Sequence, residues 1–186
     1  IFVASPKYAQ FALMGLAGAC FMGLFLALES YRLERLAIWR DPEKYEKGYQ
    51  TLQGLYAIGS GGVFGVGLGN SVQKLGFVPE AQNDMIFSII CEELGLAGAG
   101  IIVFLFLLLI WRFFMIASGS RDLFGALIAT GAMAHMMIQV ILNIAVVTNT
   151  IPNTGITLPF ISYGGTSVMF LLIEMGLVLS VSQVVD

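Results

Sequence analysis

The sequence predicts an all-α polytopic membrane protein with four transmembrane helices, on three observations. The chain is 58% hydrophobic and only 11% charged, where a soluble domain carries roughly 25% charged residues. Its charges are clustered, with none between Lys7 and Glu29, between Glu93 and Arg112, or between Asp122 and Glu174. A helix needs about 20 apolar residues to cross the hydrocarbon core, and the third gap is long enough for two crossings.

The first span is expected at residues 8–28, with Pro6 at its entrance and with Gly15 and Gly18 placed to admit a neighbouring helix closely. A loop at 29–84 follows, far longer than the usual helix connection. Its charged, Trp- and Tyr-bearing first part, from Glu29 to Lys47, suits the headgroup region. Its second part, Gly48 to Gln73, is uncharged and holds eight glycines. Glycine costs about 1 kcal/mol in a helix interior, so this stretch reads as irregular backbone with short helices at the membrane edge, broken at Gly59-Ser60-Gly61-Gly62. Irregular backbone is tolerated at that depth only where protein or water satisfies its polar groups. The second span is expected at 87–114 and the third at 123–147. An outer connection rich in Pro, Gly and Thr at 148–165 leads to the fourth, at 166–184. All of this forms a single membrane domain, 1–186.

The chain shows no basic n-region, short apolar core and cleavage site at its start, so no signal peptide is expected. Cys20 and Cys91 lie in or beside apolar spans and define neither a disulfide framework nor a metal cluster. The net charge of −3 gives no footprint for nucleic acid. Six of the nine Lys and Arg residues sit in the long loop. Taken alone, the positive-inside tendency places that loop in the cytoplasm; a loop handling an anionic substrate needs positive charge for another reason.

The densest polar cluster is Pro79-Glu80-Ala81-Gln82-Asn83-Asp84, followed by Glu92-Glu93. Asp84 directly precedes the apolar run Met85-Ile86-Phe87 and has two readings. One is a helix N-cap; the other is a general base at the membrane interface, its pKa raised by partial desolvation. Glu92, Glu93 and Glu174 share the status of ionisable groups at membrane depth. Mid-span Glu174 is protonated, bonded to another helix, or lining a cavity. Lys74 and Arg35 are the loop cations suited to phosphate oxygens, against the blander reading of solvated or snorkelling side chains. The glycine run is neither a dinucleotide fingerprint nor a P-loop and suits close backbone approach. His135, Gln139 and Asn143 share one face of the third span, as expected for hydrogen bonds between helices. A single His is poor evidence for a metal.

Several motifs occur together in order. They are Arg35 with Asp41-Pro42, Gly48-Tyr49-Gln50, Ala57 to Gly62, Gly67 to Lys74, Pro79 to Phe87, Glu92 to Gly95 and Ile151 to Gly165. Over about Arg35 to Val181 the chain resembles the SEDS family (shape, elongation, division and sporulation proteins), which includes FtsW, RodA and SpoVE. The resemblance implies the last four of ten membrane helices in the bacterial plasma membrane, with both termini cytoplasmic and the long loop extracytoplasmic. It implies a peptidoglycan glycosyltransferase that polymerises lipid II and releases undecaprenyl pyrophosphate. A class B penicillin-binding transpeptidase is the implied partner, with membrane lipids around both. The family's essential loop carboxylate falls on Asp84, which would deprotonate the attacking sugar 4-hydroxyl or hold a divalent cation, Mg or Mn. Lys74, Glu80, Gln53 and Ser162 match family positions lining the same outer cavity, and Arg35 joins them as a substrate-binding cation. Asn83, Met85, Cys91 and Asn153 depart from the commoner family residues, and Gln50 and Thr157 look more like FtsW or SpoVE than RodA. The family's first six helices carry further cavity residues, so four helices alone are expected to be inactive.

Two other classes compete. A lipid II flippase or carrier would line a path with Gln139 and Asn143. A non-catalytic membrane scaffold would only recruit the transpeptidase.

Overall fold

A computed structural model describes residues 8–28 and 30–183. Pro6, Glu29 and Val184, expected at the first entrance, the loop start and the end of the last span, lie outside the described residues. The regular elements among the described residues are all helical, with α1 (Tyr8–Leu28), α2 (Ser30–Arg40), α3 (Tyr49–Gly61), α4 (Ile86–Gly119), α5 (Leu123–Val147) and α6 (Gly165–Ser182). Single 3-10 turns stand at Pro42–Lys44, Glu46–Gly48 and Gln73–Leu75. Three helices, α4, α5 and α6, are long and apolar enough to cross a membrane. The described apolar run of α1 is Ala12–Phe21. A Cβ at Gly15 or Gly18 would meet nothing within 4 Å, so the close neighbour expected there is not among the described elements.

Helices α3 to α6 pack around one core that includes Phe87, Ile89, Phe106, Met136, Val140 and Leu171. Outward faces of α4 and α6 carry exposed Phe104, Leu105, Trp111, Phe170 and Leu172, as lipid-facing surfaces do. Asp122 starts α5 by accepting a hydrogen bond from the Gly125 N–H at 2.7 Å, which satisfies one unpaired first-turn donor.

The glycine-rich stretch contains a 13-residue helix, α3, and then irregular chain. Gly54, Ala57 and Gly61 are its buried residues, spaced along one face. A Cβ at Gly61 would lie 1.9 Å from the Cys91 carbonyl oxygen, so the missing side chain is what lets α3 lie against α4. Helix α3 ends as the chain passes into the left-handed region at Gly62, φ +54°.

Helix α4 bends at Gly95, where φ is +67° and ψ −170°, a region open in practice only to glycine. The bend frees two carbonyls and two amides, and the chain after α3 takes all four. Val66 and Gly67 donate to the Glu92 and Glu93 carbonyls at 2.9 and 3.0 Å, while Leu96 and Ala97 donate to the Gly62 and Val63 carbonyls at 2.9 and 3.0 Å. Irregular backbone is thus satisfied against the start of an apolar helix, as membrane depth demands.

Candidate active site

The cavity at Asp84 is built where four segments distant in sequence meet. Helix α2 lies beside the 148–155 chain and is tied to it by three bonds. Trp39 Nε1 donates to the Asn149 carbonyl at 2.9 Å, Asn149 Nδ2 donates to the Trp39 carbonyl at 3.3 Å, and Arg35 donates to the Asn153 carbonyl at 3.0 Å. The first turn of α3 supplies Gln50, and the segment two residues before α4 supplies Asp84. Between them lies a cavity of about 310 Å³, lined among others by Glu34, Arg35, Trp39, Lys47, Gln50 and Asp84.

Asp84 is 8% exposed. It does not cap α4: the N-cap position is Met85, with no side-chain capping bond. Instead the Asp84 carboxylate accepts a long bond from Gln50 Nε2 at 3.4 Å. Burial holds its carboxyl above the ordinary carboxylate range; its own backbone N–H pulls the other way, and the Glu80 charge adds to the rise. Charge around the cavity is otherwise mixed. Lys47 pairs with Glu34 at 2.9 Å, and Arg35 brings a second cation.

The face of α5 bearing His135, Gln139 and Asn143 is bonded within the chain at every position. His135 Nδ1 meets the Glu174 carboxylate of α6 at 3.0 Å. Gln139 donates to the carbonyl and hydroxyl of Thr157 at 3.1 and 3.3 Å. Asn143 donates to the carbonyls of Asp84 and Ile156 at 2.9 and 2.7 Å. Two of the four partner residues, Thr157 and Ile156, lie on the connection before α6, so this stretch runs back along α5. Tyr163 N–H then bonds the Gln82 carbonyl at 2.8 Å, closing the connection onto the segment that carries Asp84.

Of the residues expected at one outer cavity, the structure brings Asp84 and Arg35 together. Lys74 and Glu80 line a second cavity, of about 630 Å³, with Val78, Ala81 and Ile86. Lys74 is held there by Glu93 at 2.6 Å, and Glu80 accepts a hydrogen bond from Asn83. Gln53 is half-buried in α3 and lines neither cavity. Ser162 is buried, and its hydroxyl accepts the Leu158 N–H at 2.7 Å, so it clasps a turn of the connection. Glu92, 3% exposed, accepts from the Ser71 hydroxyl and the Val72 N–H, and Glu93 accepts from the Ser71 N–H. These two carboxylates fasten the 71–74 chain to α4. Among the described residues, no three His, Cys, Asp or Glu side chains converge as a metal site.

Sequence reasoning did not find Trp39, Asn149, or Asn153 as a cavity residue. Their pairing partners lie 110 or more positions away, and neither charge nor periodicity marks such a separation.

Comparison with known proteins identifies the family. The family model described as "Cell cycle protein" (FTSW_RODA_SPOVE) matches residues 1–186. Stage V sporulation protein E of Bacillus subtilis is 47% identical over 98% of this chain and 50% of its own length. The probable peptidoglycan glycosyltransferase FtsW of Coxiella burnetii is 41% identical over 98% of this chain and 50% of its own length. A solved structure, described as structural coordination of polymerization and crosslinking by a peptidoglycan synthase complex, matches with TM-score 0.75 and 29% identity. That match covers 95% of this chain and 49% of the solved one. The chain spans about half the length of the curated relatives it matches. With a family model matched from end to end and a relative at 47% identity, the chain belongs to the FtsW/RodA/SpoVE family.

Proposed function

We propose that this chain is the catalytic part of a peptidoglycan glycosyltransferase acting on lipid II in cell division or sporulation. The observation that carries the reading is the Asp84 carboxylate: buried, raised in pKa, and opening on a cavity that also holds Arg35 and Lys47. In this mechanism Asp84 takes the proton of the acceptor sugar's 4-hydroxyl. The freed oxygen attacks the anomeric carbon of the donor, and the bond to pyrophosphate breaks with its electron pair on the leaving oxygen. A carboxylate whose pKa is raised by burial is a stronger base than an ordinary one, and Arg35 and Lys47 offset the leaving group's charge. Lys74, fixed on Glu93 at the second cavity, serves the substrate from there together with Glu80.

The donor set bears on the divalent cation. Asp84 meets the Gln50 amide and shares its cavity with Arg35 and Lys47, with no cluster of acidic ligands among the described residues. An Mg or Mn ion here would take Asp84 and complete its shell with water and pyrophosphate oxygens, as Mg commonly does. It would supply charge neutralisation at the leaving group.

The topology follows from the same reading: α1 is a fourth span, both ends are cytoplasmic, and the 29–84 loop is extracytoplasmic. The loop's positive charge then belongs to substrate handling, because Arg35 and Lys47 line the cavity. The names of the relatives and of the solved assembly support a class B penicillin-binding transpeptidase as partner. Against a flippase path, the donors of Gln139 and Asn143 are engaged with backbone inside the chain.

The deciding experiment is lipid II polymerisation by purified full-length protein. Asp84→Asn is expected to abolish polymerisation with the protein still folded in the membrane. Retained polymerisation would overturn the catalytic reading, and headgroup transport surviving alone would favour the flippase.

A further inference from the structure

Asn143 is fully buried, at 0% exposure, one turn from the end of α5. Its amide nitrogen has two hydrogens, and both are engaged, on the Asp84 carbonyl at 2.9 Å and the Ile156 carbonyl at 2.7 Å. Those carbonyls belong to two segments distant in sequence that both line the cavity, one through Asp84 and the other through Asn153, Thr154 and Gly155, just before Ile156. The two segments approach closely: a Cβ added to Gly155 would lie 3.9 Å from Asp84 Oδ2. The Asp84 carbonyl also falls outside the bonding of α4, because Ser88 N–H, the first donor of that helix to turn back, goes to the Met85 carbonyl at 3.1 Å.

We propose that Asn143 is a positioning residue for Asp84, a role that rests on Asp84 being the proton acceptor. By holding both carbonyls on one amide, Asn143 fixes where Asp84 stands relative to the Asn153–Gly155 backbone, and so how its carboxylate is presented to the cavity that both segments line. Gln139, one turn along the same face, supplies the contrast. Its amide donates to the Thr157 carbonyl and hydroxyl, and not to the Asp84 segment. Proximity effects of this kind are steep, with about 1 Å of misplacement able to cost about a hundredfold in rate.

The test uses purified full-length protein, with lipid II polymerisation measured against substrate concentration and pH. Asn143→Leu removes both donors on a side chain of the same branching. It should lower kcat roughly a hundredfold with KM within about threefold, since the loss falls on orientation rather than binding. Its acid limb should move to lower pH, because a loosened cavity hydrates the carboxyl that burial now holds up. The other charged groups facing Asp84, which are Glu80 on its own segment and Glu34, Arg35 and Lys47 from the α2 side, are unchanged in the variant. Asn143→Gln keeps both donors on a longer arm and should lose about tenfold in kcat with the same split; it decides the matter if the Leu variant does not fold. Gln139→Leu should leave the acid limb in place.

A folded Asn143 variant with wild-type kcat and an unmoved limb overturns the proposal. So does a loss matched by Gln139→Leu, which would mark general packing. Asp84→Asn run in parallel separates the two claims. An inactive Asp84→Asn beside wild-type-like Asn143 variants removes only the positioning role, and an active Asp84→Asn removes both.

Discussion

Replacing Gly95 with alanine tests how the long loop is attached to α4. At φ +67° and ψ −170° any side chain is strained by roughly 1–3 kcal/mol. The added Cβ would also stand 2.3 Å from the Gly65 nitrogen and 2.5 Å from the Val63 carbonyl oxygen. Both contacts are backbone and cannot rotate away, so the bent geometry does not survive. The alternative is a straight α4. Straightening restores two helical bonds, Leu96 to Glu92 and Ala97 to Glu93, and breaks the four that cross to the loop. Two net bonds at about 0.5–1.5 kcal/mol each are lost, against about 1 kcal/mol gained by Ala over Gly within a helix. The balance lies near 1 kcal/mol, so the variant should remain folded with its 62–67 chain released.

Hydrogen exchange on the full-length protein in detergent measures this directly. Loss of four crossing bonds, together worth at least about 2 kcal/mol, corresponds to roughly thirtyfold or greater acceleration at the Val66 and Gly67 amides. The Leu96 and Ala97 amides should stay protected, now by the helix itself. Gly100→Ala is the control, since a Cβ there meets nothing within 4 Å. Unchanged exchange at Val66 and Gly67 in Gly95→Ala would refute the reasoning, and would mean that Glu92 and Glu93 hold the loop without the backbone ladder.

Two other substitutions bear on the site. Ser162→Ala strips the buried Leu158 N–H of its 2.7 Å acceptor and should destabilise the protein by about 1–3 kcal/mol; an unchanged thermal midpoint would sink the turn-clasp role. Asp84→Asn should do the opposite. With the folded pKa above the unfolded one, the folded state binds more protons between them, so stability falls as pH rises from near 3.8 through the raised value, and the penalty is complete above it. The neutral variant should therefore melt higher than wild type at neutral pH, with the gap closing in acid. A gap that ignores pH would contradict the burial argument.

Much of the architecture was legible because membranes impose a coarse code. Uncharged runs between Glu93 and Arg112 and between Asp122 and Glu174 have no other economical reading. The bend in α4 was not legible. Gly95, Gly98 and Gly100 are the same residue type in the same apolar run, yet only Gly95 leaves helical geometry. What selects it is the approach of Gly65 from 30 positions away, where a Cβ would lie 2.1 Å from the Glu93 carbonyl oxygen. Helix α3 was hidden for a related reason. Its glycines lower helix propensity but permit contact with α4, and packing outweighs propensity once a partner is present. Asp84 could be singled out from its place before an apolar run, whereas the choice between cap and base could not be made without coordinates.

That choice now turns on what the carboxylate does not do. A helix N-terminus offers unpaired amides and a favourable dipole to any nearby acid, and an Asp kept for stability would accept from them. Asp84 stands two residues before α4, leaves its capping position to Met85, and accepts a long bond from the Gln50 amide at 3.4 Å beside one from its own backbone N–H. Its neighbour Glu80 adds repulsion. Meanwhile its main chain is held by Asn143, and the cavity beside it by Trp39, Asn149 and Arg35, all through bonds between distant segments. A group that gains little from its surroundings, in a frame fixed at such long range, fits the proposed catalytic role better than a folding one. Removing its charge should therefore raise stability and end activity in the same protein, a pairing that a helix cap cannot produce.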